Sequence, residues 1–201
     1  MMQKIIIASV YLVQAGLLVY ELIAQYDSRG RQNALAITNL ATIAIYVLVQ
    51  RYVRRRYGIT LHWIVLVILS AGVWLDAVGN FQHFYARYWW WDRLTHAVGG
   101  LAATVGVYMI AVALWQAGRL AVSWRVLNLY VFCLAQTLGA LYEVSEWVGD
   151  ELFLTHRVQG LFDTPRDIFF NMIGGVTVVL IGTWWRMRHR AVHPPGDADR
   201  I

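Results

Sequence analysis

The chain has 201 residues, of which 59% are hydrophobic and only 14% are charged. Ordinary soluble domains carry about 25% charged residues, so this composition excludes a typical soluble domain and predicts an integral membrane protein. The formal net charge of +5 does not indicate a nucleic-acid partner, because the arginines lie between apolar segments, where basic residues act as topology signals.

Six apolar segments follow one another along the chain, each long enough to cross a bilayer core of about 30 Å, which takes about 20 helical residues. The first has a positive flank, exceeds the apolar core of a typical signal peptide and precedes no clear cleavage pattern, so we expect a retained helix. The sequence therefore predicts an all-α polytopic membrane protein, with residues 1–201 as a single transmembrane domain. The predicted spans are 5–24, 33–53, 60–80, 93–115, 125–147 and 167–185.

Most of the ten tryptophans fall near the ends of these spans, which is typical of the aromatic belts at the two membrane interfaces. The belt residues are Trp63, Trp89, Trp90, Trp91, Trp115, Trp124, Trp147, Trp184 and Trp185. The one cysteine, Cys133, lies inside the fifth span, which excludes an intramolecular disulfide and predicts a small buried side chain.

The basic residues give the orientation. With the N-terminus inside, the inner side holds eleven of the 17 lysines and arginines and the outer side holds six, so we expect both termini to be cytoplasmic, with residues 186–201 as a basic tail. The inner set is Lys4, Arg51, Arg54, Arg55, Arg56, Arg119, Arg125, Arg186, Arg188, Arg190 and Arg200. The outer set is Arg29, Arg31, Arg87, Arg93, Arg157 and Arg166.

The carboxylates gather at the outer ends of the spans, although the orientation was derived from basic residues alone. Those that open descending helices can be explained by capping, because the N-terminal end of a helix dipole favours negative charge; they are Asp92, Asp163 and Asp167. Asp76, Glu143 and Glu146 end ascending helices, where the dipole disfavours negative charge. These three acids therefore require a positive partner, which can be an arginine, a proton or a metal ion.

A short pattern occurs twice. The segments "DRLTHAVGG" (92–100) and "DIFFNMIGG" (167–175) share an aspartate, a His or Asn four residues later and a Gly-Gly pair. Each opens a descending helix after an ascending helix that ends in acids, so the third and fourth spans and the fifth and sixth spans are predicted to be tandem helical hairpins. Two parallel copies would place Asp92 and His96 opposite Asp167 and Asn171, with the glycines allowing close approach.

These residues predict one outward-facing pocket, because each i,i+3 or i,i+4 pair lies on a single helix face. Carboxylate and imidazole groups on facing helices hold metal ions in helical bundles, here Mg²⁺, Mn²⁺, Ca²⁺ or Zn²⁺. The predicted ligands are Asp76, Asp92, His96, Glu143 and Asp167. The predicted catalytic groups are Glu143 or Glu146 as base and His96 as ligand or acid. The remaining pocket residues are Asn80, Asp163 and Asn171, with Arg93 and Arg166 as ion-pair partners or phosphate clamps.

The segments from Asp76 to Gly175, with "WWWDRLTHAVGG", "EVSEW" and "DTPRDIFFNMIGG", resemble the YjdF-type inner-membrane proteins, a family without an assigned activity. The E-x2-E and D-x3-N-x2-G-G segments are more distantly similar to VanZ-like membrane proteins. Those proteins usually carry Gln at the position of Glu146, which weakens that likeness. The resemblance implies a location in the bacterial inner membrane and supplies no mechanism.

The preferred function from the sequence is a metal-dependent enzyme at the outer leaflet that hydrolyses a lipid or isoprenoid-phosphate head group. The first alternative is a proton- or cation-coupled transporter, in which the acids relay the ion. The inner halves of the spans contain few polar residues, which counts against that alternative. The second alternative is a non-catalytic membrane partner, in which arginines and acids form a locked network that binds no ion.

Overall fold

The computed structural model describes residues 2–24 and 29–189, and within these ranges its regular secondary structure is helical, without a strand. Six helices are long and apolar enough to cross a membrane, which confirms the predicted all-α polytopic architecture. A short helix in the connection after the third span was not predicted. The helices are α1 (Met2–Ile23), α2 (Arg29–Tyr57), α3 (Trp63–Phe81), α4 (Phe84–Arg87), α5 (Trp91–Gln116), α6 (Trp124–Phe153) and α7 (Asp163–His189).

The distribution of polar and apolar side chains is that of a protein in lipid. Leu12 and Leu48 are 76% and 64% exposed, whereas the carboxylates of Glu21 and Glu143 are almost completely buried. Exposed leucines of this kind would be unfavourable in water but are solvated by hydrocarbon, and polar groups that cannot meet water turn toward the bundle.

Short connections make successive spans antiparallel. We call the end where α1, α3 and α6 finish and α2, α5 and α7 begin the site end, and the other end the opposite end. The closest helix pair is α5 with α7, which meet through glycines: a Cβ atom at Gly174 would collide with the backbone of Ala97 and Leu101, and one at Gly100 with the backbone of Asn171. The Gly-Gly pairs therefore bring the two helices into direct backbone contact.

Replacing Gly174 with alanine should destabilise the protein by about 1–3 kcal/mol, the usual effect of overpacking a well-packed interior. The obstacle is backbone, which cannot rotate away as a side chain can. The measurement is the thermal unfolding temperature in detergent. Gly16→Ala on α1 is the matched control, because no heavy atom lies within 4 Å of its added Cβ. Equal unfolding temperatures for the two variants would contradict the close α5–α7 contact.

A buried polar network joins α1, α2 and α3. Asn39 Nδ2 donates to Glu21 Oε2 at 3.2 Å, and Ser70 Oγ donates to Gln14 Oε1 at 2.7 Å. Toward the opposite end the same three helices pack together through a buried apolar cluster, which consists of Val10, Tyr46, Val65 and Leu66. Within this network Gln14 and Ser70 lie near the middle of the bundle, and Glu21 and Asn39 lie nearer the site end.

Two expectations about single side chains are corrected. Trp91 is buried against Phe84 and Trp90 and does not belong to an exposed belt, because it packs over Gly79, where there is no side chain to exclude it. Cys133 is exposed on α6 and faces outward from the bundle. Of the predicted basic tail, residues 186–189 continue α7, and residues 190–201 lie outside the described residues.

Candidate metal centre

His96 stands between two aspartates at the site end. His96 Nε2 lies 3.5 Å from Asp92 Oδ1, one turn earlier on α5, and 3.6 Å from Asp167 Oδ1 on α7. The three ligand atoms lie within 4.8 Å of one another. Asp92 and Asp167 occupy corresponding positions of the repeated motif; Asp92 lies in the first turn of α5, where the dipole stabilises negative charge, and Asp167 lies one turn into α7, which begins at Asp163.

These separations suit a small divalent cation. Two ligands that each lie about 2.1 Å from a tetrahedral ion are about 3.4 Å apart, close to the observed 3.5 and 3.6 Å. Three protein ligands leave a further position for water or substrate. A mixed imidazole and carboxylate set is suited to Zn²⁺ or Mn²⁺.

Glu143 lies behind His96. Its Oε1 is 3.3 Å from His96 Nδ1, the ring nitrogen opposite the two aspartates. A carboxylate in this position commonly holds a metal-bound imidazole in the required tautomer and orientation. Glu143 was predicted as a ligand and as a base, and its position beside His96 Nδ1 would also allow it to orient the imidazole.

The cluster contains polar atoms whose hydrogen-bonding capacity is not satisfied by the described residues. Glu143 Oε1 and Asp167 Oδ1 are buried and accept no hydrogen bond of good geometry from that part of the chain. Buried acceptors of this kind usually have a partner, and three carboxylates around one imidazole carry excess negative charge. A divalent cation bound at the cluster would meet both requirements.

A second cluster is centred on Arg157. Its Nη2 atom lies 2.8 Å from Glu146 Oε1 and 3.6 Å from Asp76 Oδ2, and donates to the Tyr142 hydroxyl at 2.7 Å. Burial acts to lower the pKa of Arg157, but Tyr142 and the two carboxylates raise it well above its ordinary value. The guanidinium therefore remains charged and supplies the positive partner that these acids require.

Asp76 also accepts hydrogen bonds from two neutral donors. Asn80 Nδ2 and the Tyr85 hydroxyl reach Asp76 Oδ1 at 2.9 and 2.7 Å. Burial, followed by the charge of Asp76, holds the pKa of Tyr85 well above its ordinary value. The phenol thus stays protonated and remains a donor, so the unpredicted helix α4 contributes directly to the site.

The connection between α6 and α7 is folded so that Arg157 points inward. Asp150 accepts the backbone N–H groups of Arg157 and Val158 at 2.8 Å each, and also the Thr155 hydroxyl. Leu154 and His156 have φ angles of 53° and 55°, in the left-handed region. Because positive φ values are uncommon for residues other than glycine, the hydrogen bonds to Asp150 help to stabilise the turn.

The start of α7 is held by a separate contact. Asp163 Oδ2 accepts the backbone N–H of Gln159 at 2.5 Å, and Asp163 Oδ1 pairs with Arg166 Nη2 at 2.8 Å. Arg166 is thus directed to Asp163. Arg93 donates to the carbonyl of Trp89 and lies over the Trp89 ring, 4.5 Å from its centroid, away from both clusters.

The predicted residues therefore fall into two groups. Asp92, His96 and Asp167 come together, with Glu143 behind them. Asp76, Asn80 and Glu146 lie instead around Arg157. Arg157 was predicted only as an outer basic residue. The signal that could have identified it is the requirement of Asp76 and Glu146 for a cation, a role that was predicted for Arg93 or Arg166.

Both groups border one cavity with a volume of about 360 Å³. Asp92, His96 and Asp167 line one part of its polar end, and Glu146 and Arg157 line another. Asn171 lies deeper, beside Gly100 and Gly139. An ion at the first cluster and a guanidinium at the second would thus face the same bound molecule.

The comparisons with known proteins agree with this architecture. The family model described as a predicted membrane protein, DUF2238, matches residues 6–188. A protein of Thermotoga maritima, named as an uncharacterized protein, is 31% identical over 120 residues, which are 57% of this chain and 59% of that protein. The match thus spans less than two thirds of the length of that relative. No solved structure matches the chain.

Proposed function

We propose that this chain, which belongs to the DUF2238 family of predicted membrane proteins, is a metal-dependent hydrolase of a lipid or isoprenoid-phosphate head group. The observation that carries the proposal is the convergence of Asp92, His96 and Asp167 on one point at the border of the cavity. A divalent cation bound there would supply an activated water and stabilise negative charge on a phosphate.

The other residues receive roles from their positions. His96 has carboxylates facing both ring nitrogens, which favours a ligand role over acid catalysis. Glu146 borders the cavity, so it is the better candidate for a base than Glu143. Arg157 borders the cavity beside Glu146, where its guanidinium can bind a phosphate oxygen and orient the base.

The hydrolase accounts for more of the structure than the alternatives. A locked partner network would explain Arg157 but not the His96 cluster, because among the described residues no lysine or arginine lies within 4.0 Å of the carboxylates of Asp92, Glu143 or Asp167. An ion carrier needs a path to the opposite end, and an apolar cluster fills the space between α1, α2 and α3 there.

The eleven-to-six division of basic residues supports a location in the bacterial inner membrane with both termini cytoplasmic and the site end outside. The repeated motif supports assignment to the YjdF-type branch of the family. In this orientation the reacting head group belongs to a lipid of the outer leaflet.

The purified protein should retain about one Mn²⁺ or Zn²⁺ per chain after desalting, and Asp92→Asn and Asp167→Asn should each retain far less, because each removes one of three ligands. Metal content is measured by inductively coupled plasma mass spectrometry. Phosphate release from a detergent-solubilised isoprenyl phosphate is measured on the same samples and should fall with the metal content.

The matched control is Glu151→Gln, which neutralises an exposed acid at the end of α6. This variant should retain metal and activity. Full metal content in both aspartate variants would contradict the centre, and a metal-loaded wild type without phosphate release would contradict the reaction.

A further inference from the structure

The cavity that borders the two clusters continues well below them. Its deeper wall is apolar and is formed by Ile45 on α2, Leu69 and Val73 on α3, and Ala103 on α5. Thr38 and Thr42 also line it, but their hydroxyls donate to Ala34 and Thr38 carbonyls of the same helix. The hydroxyl groups of these two threonines are therefore satisfied within α2 and do not make the deeper wall polar.

The polar and apolar parts of the wall lie at different depths on α3 and α5. Leu69 is seven residues from Asp76, and Ala103 is seven residues from His96, so each lies about 10 Å deeper at 1.5 Å per residue. On α2, Ile45 lies ten residues beyond Leu35, about 15 Å deeper. The cavity is thus a cleft with charge at the site end and a hydrocarbon-like interior, about as deep as one leaflet of the bilayer core.

The cleft is open at its apolar end. Ile45 on α2 and Leu138 on α6 both line it, yet they are 59% and 44% exposed. Nearer the site end α2 and α6 are in close contact, since a Cβ atom at Gly30 would collide with the carbonyl of Phe153. The two helices are therefore held together at the site end and separated deeper, where the surroundings are lipid.

We propose that a lipid of the surrounding bilayer enters this opening sideways and places one hydrocarbon chain in the cleft, with its head group at the His96 and Arg157 clusters. This inference rests on the proposed function and names its substrate as a chain-bearing lipid taken from the membrane. An apolar cleft that opens beside Ile45 and Leu138 faces hydrocarbon, so a chain can enter without exposure to water. The polar end of the cleft would contact the head group, which is the part of the lipid that requires polar partners.

The test uses the full chain reconstituted in phosphatidylcholine vesicles with a small fraction of a phosphatidic acid that carries a photoreactive diazirine in the middle of one chain. Crosslinking is carried out in EDTA, so that the result does not depend on a bound cation. Adducts should map to Thr42, Ile45 and Leu138. Thr42→Trp, which fills the cleft, and Leu138→Trp, which narrows its opening, should each reduce these adducts several-fold.

Leu40→Trp is the matched control, because Leu40 is exposed on α2 outside the cleft wall and its replacement should leave the adducts unchanged. Leu138→Trp changes an exposed position and should therefore fold even if Thr42→Trp does not. Adducts confined to outward-facing leucines such as Leu129, or adducts equal in all three variants, would overturn the proposal. Cleft adducts that persist in Asp92→Asn, without retained metal in the wild type, would support the lipid site and contradict only the metal centre.

Discussion

Arg157→Gln should lower the free energy of unfolding by about 3–5 kcal/mol, the effect expected when one partner of a buried ion pair is removed. The change leaves Glu146 and Asp76 largely buried without their cation, since their side chains are only 9% and 18% exposed. The measurement is reversible unfolding in mixed micelles, followed by tryptophan fluorescence. We expect the variant to be mostly unfolded under conditions in which the wild type is folded.

The double variant Arg157→Gln/Glu146→Gln should recover part of this loss, because it removes the unpaired charge together with its partner. Arg93→Gln is the matched control: its guanidinium contacts Trp89 at the surface, so its loss should cost about 0.5–1 kcal/mol. If Arg157→Gln is no less stable than Arg93→Gln, the Arg157 cluster does not hold the site end together.

His96→Ala should abolish retention of Mn²⁺ or Zn²⁺, because it removes the nitrogen ligand and also the group to which Glu143 is directed. Glu143→Gln should have a smaller effect, a 10–100-fold loss of cation affinity, since it changes only the partner that orients the imidazole. Both affinities are measured by isothermal titration calorimetry in detergent.

Unfolding the same variants in EDTA separates their effect on cation binding from their effect on the stability of the cation-free protein. Without a cation, Glu143→Gln removes one of the like charges that crowd His96, and we expect its unfolding temperature to be equal to or higher than that of the wild type. If Glu143→Gln binds the cation as tightly as the wild type, Glu143 plays no part in the centre. Glu151→Gln again provides the control for charge alone.

The sequence was sufficient for the spans because hydrophobic length is encoded locally. It also indicated the gathering of Asp92, His96 and Asp167, since a repeated motif at the start of two helices places equivalent residues at the same depth. The division into two clusters depended on which hairpins are neighbours, and helical periodicity carries no such information. Asp76 was therefore predicted to be near His96, although Arg157 and Tyr85 hold it elsewhere.

Arg157 escaped prediction for a different reason. It lies in the connection between α6 and α7, where side-chain direction is determined by backbone turns rather than by a repeating pattern. The left-handed residues Leu154 and His156, and the acceptor Asp150, turn the guanidinium inward. Asp150 and His156 are residue types that occur in turns, but their types do not show which way the side chain of Arg157 points, so the arrangement depends on the three-dimensional fold.

The glycine contact between α5 and α7 has a mechanical consequence. Asp92 and Asp167 are on two helices whose backbones are in contact. No layer of side chains separates these helices at the contact, so the distance between them cannot easily change. The wall of the cleft, in contrast, includes α2, which is held against α6 near the site end and diverges from it below. A change in bilayer thickness or lateral pressure that tilts α2 should therefore alter the width of the lipid entrance while the reacting groups stay in register. Under the proposed function, admission of the lipid would depend on the position of α2 and the spacing of the metal-binding groups on the α5–α7 contact, so membrane tension would affect the first more than the second.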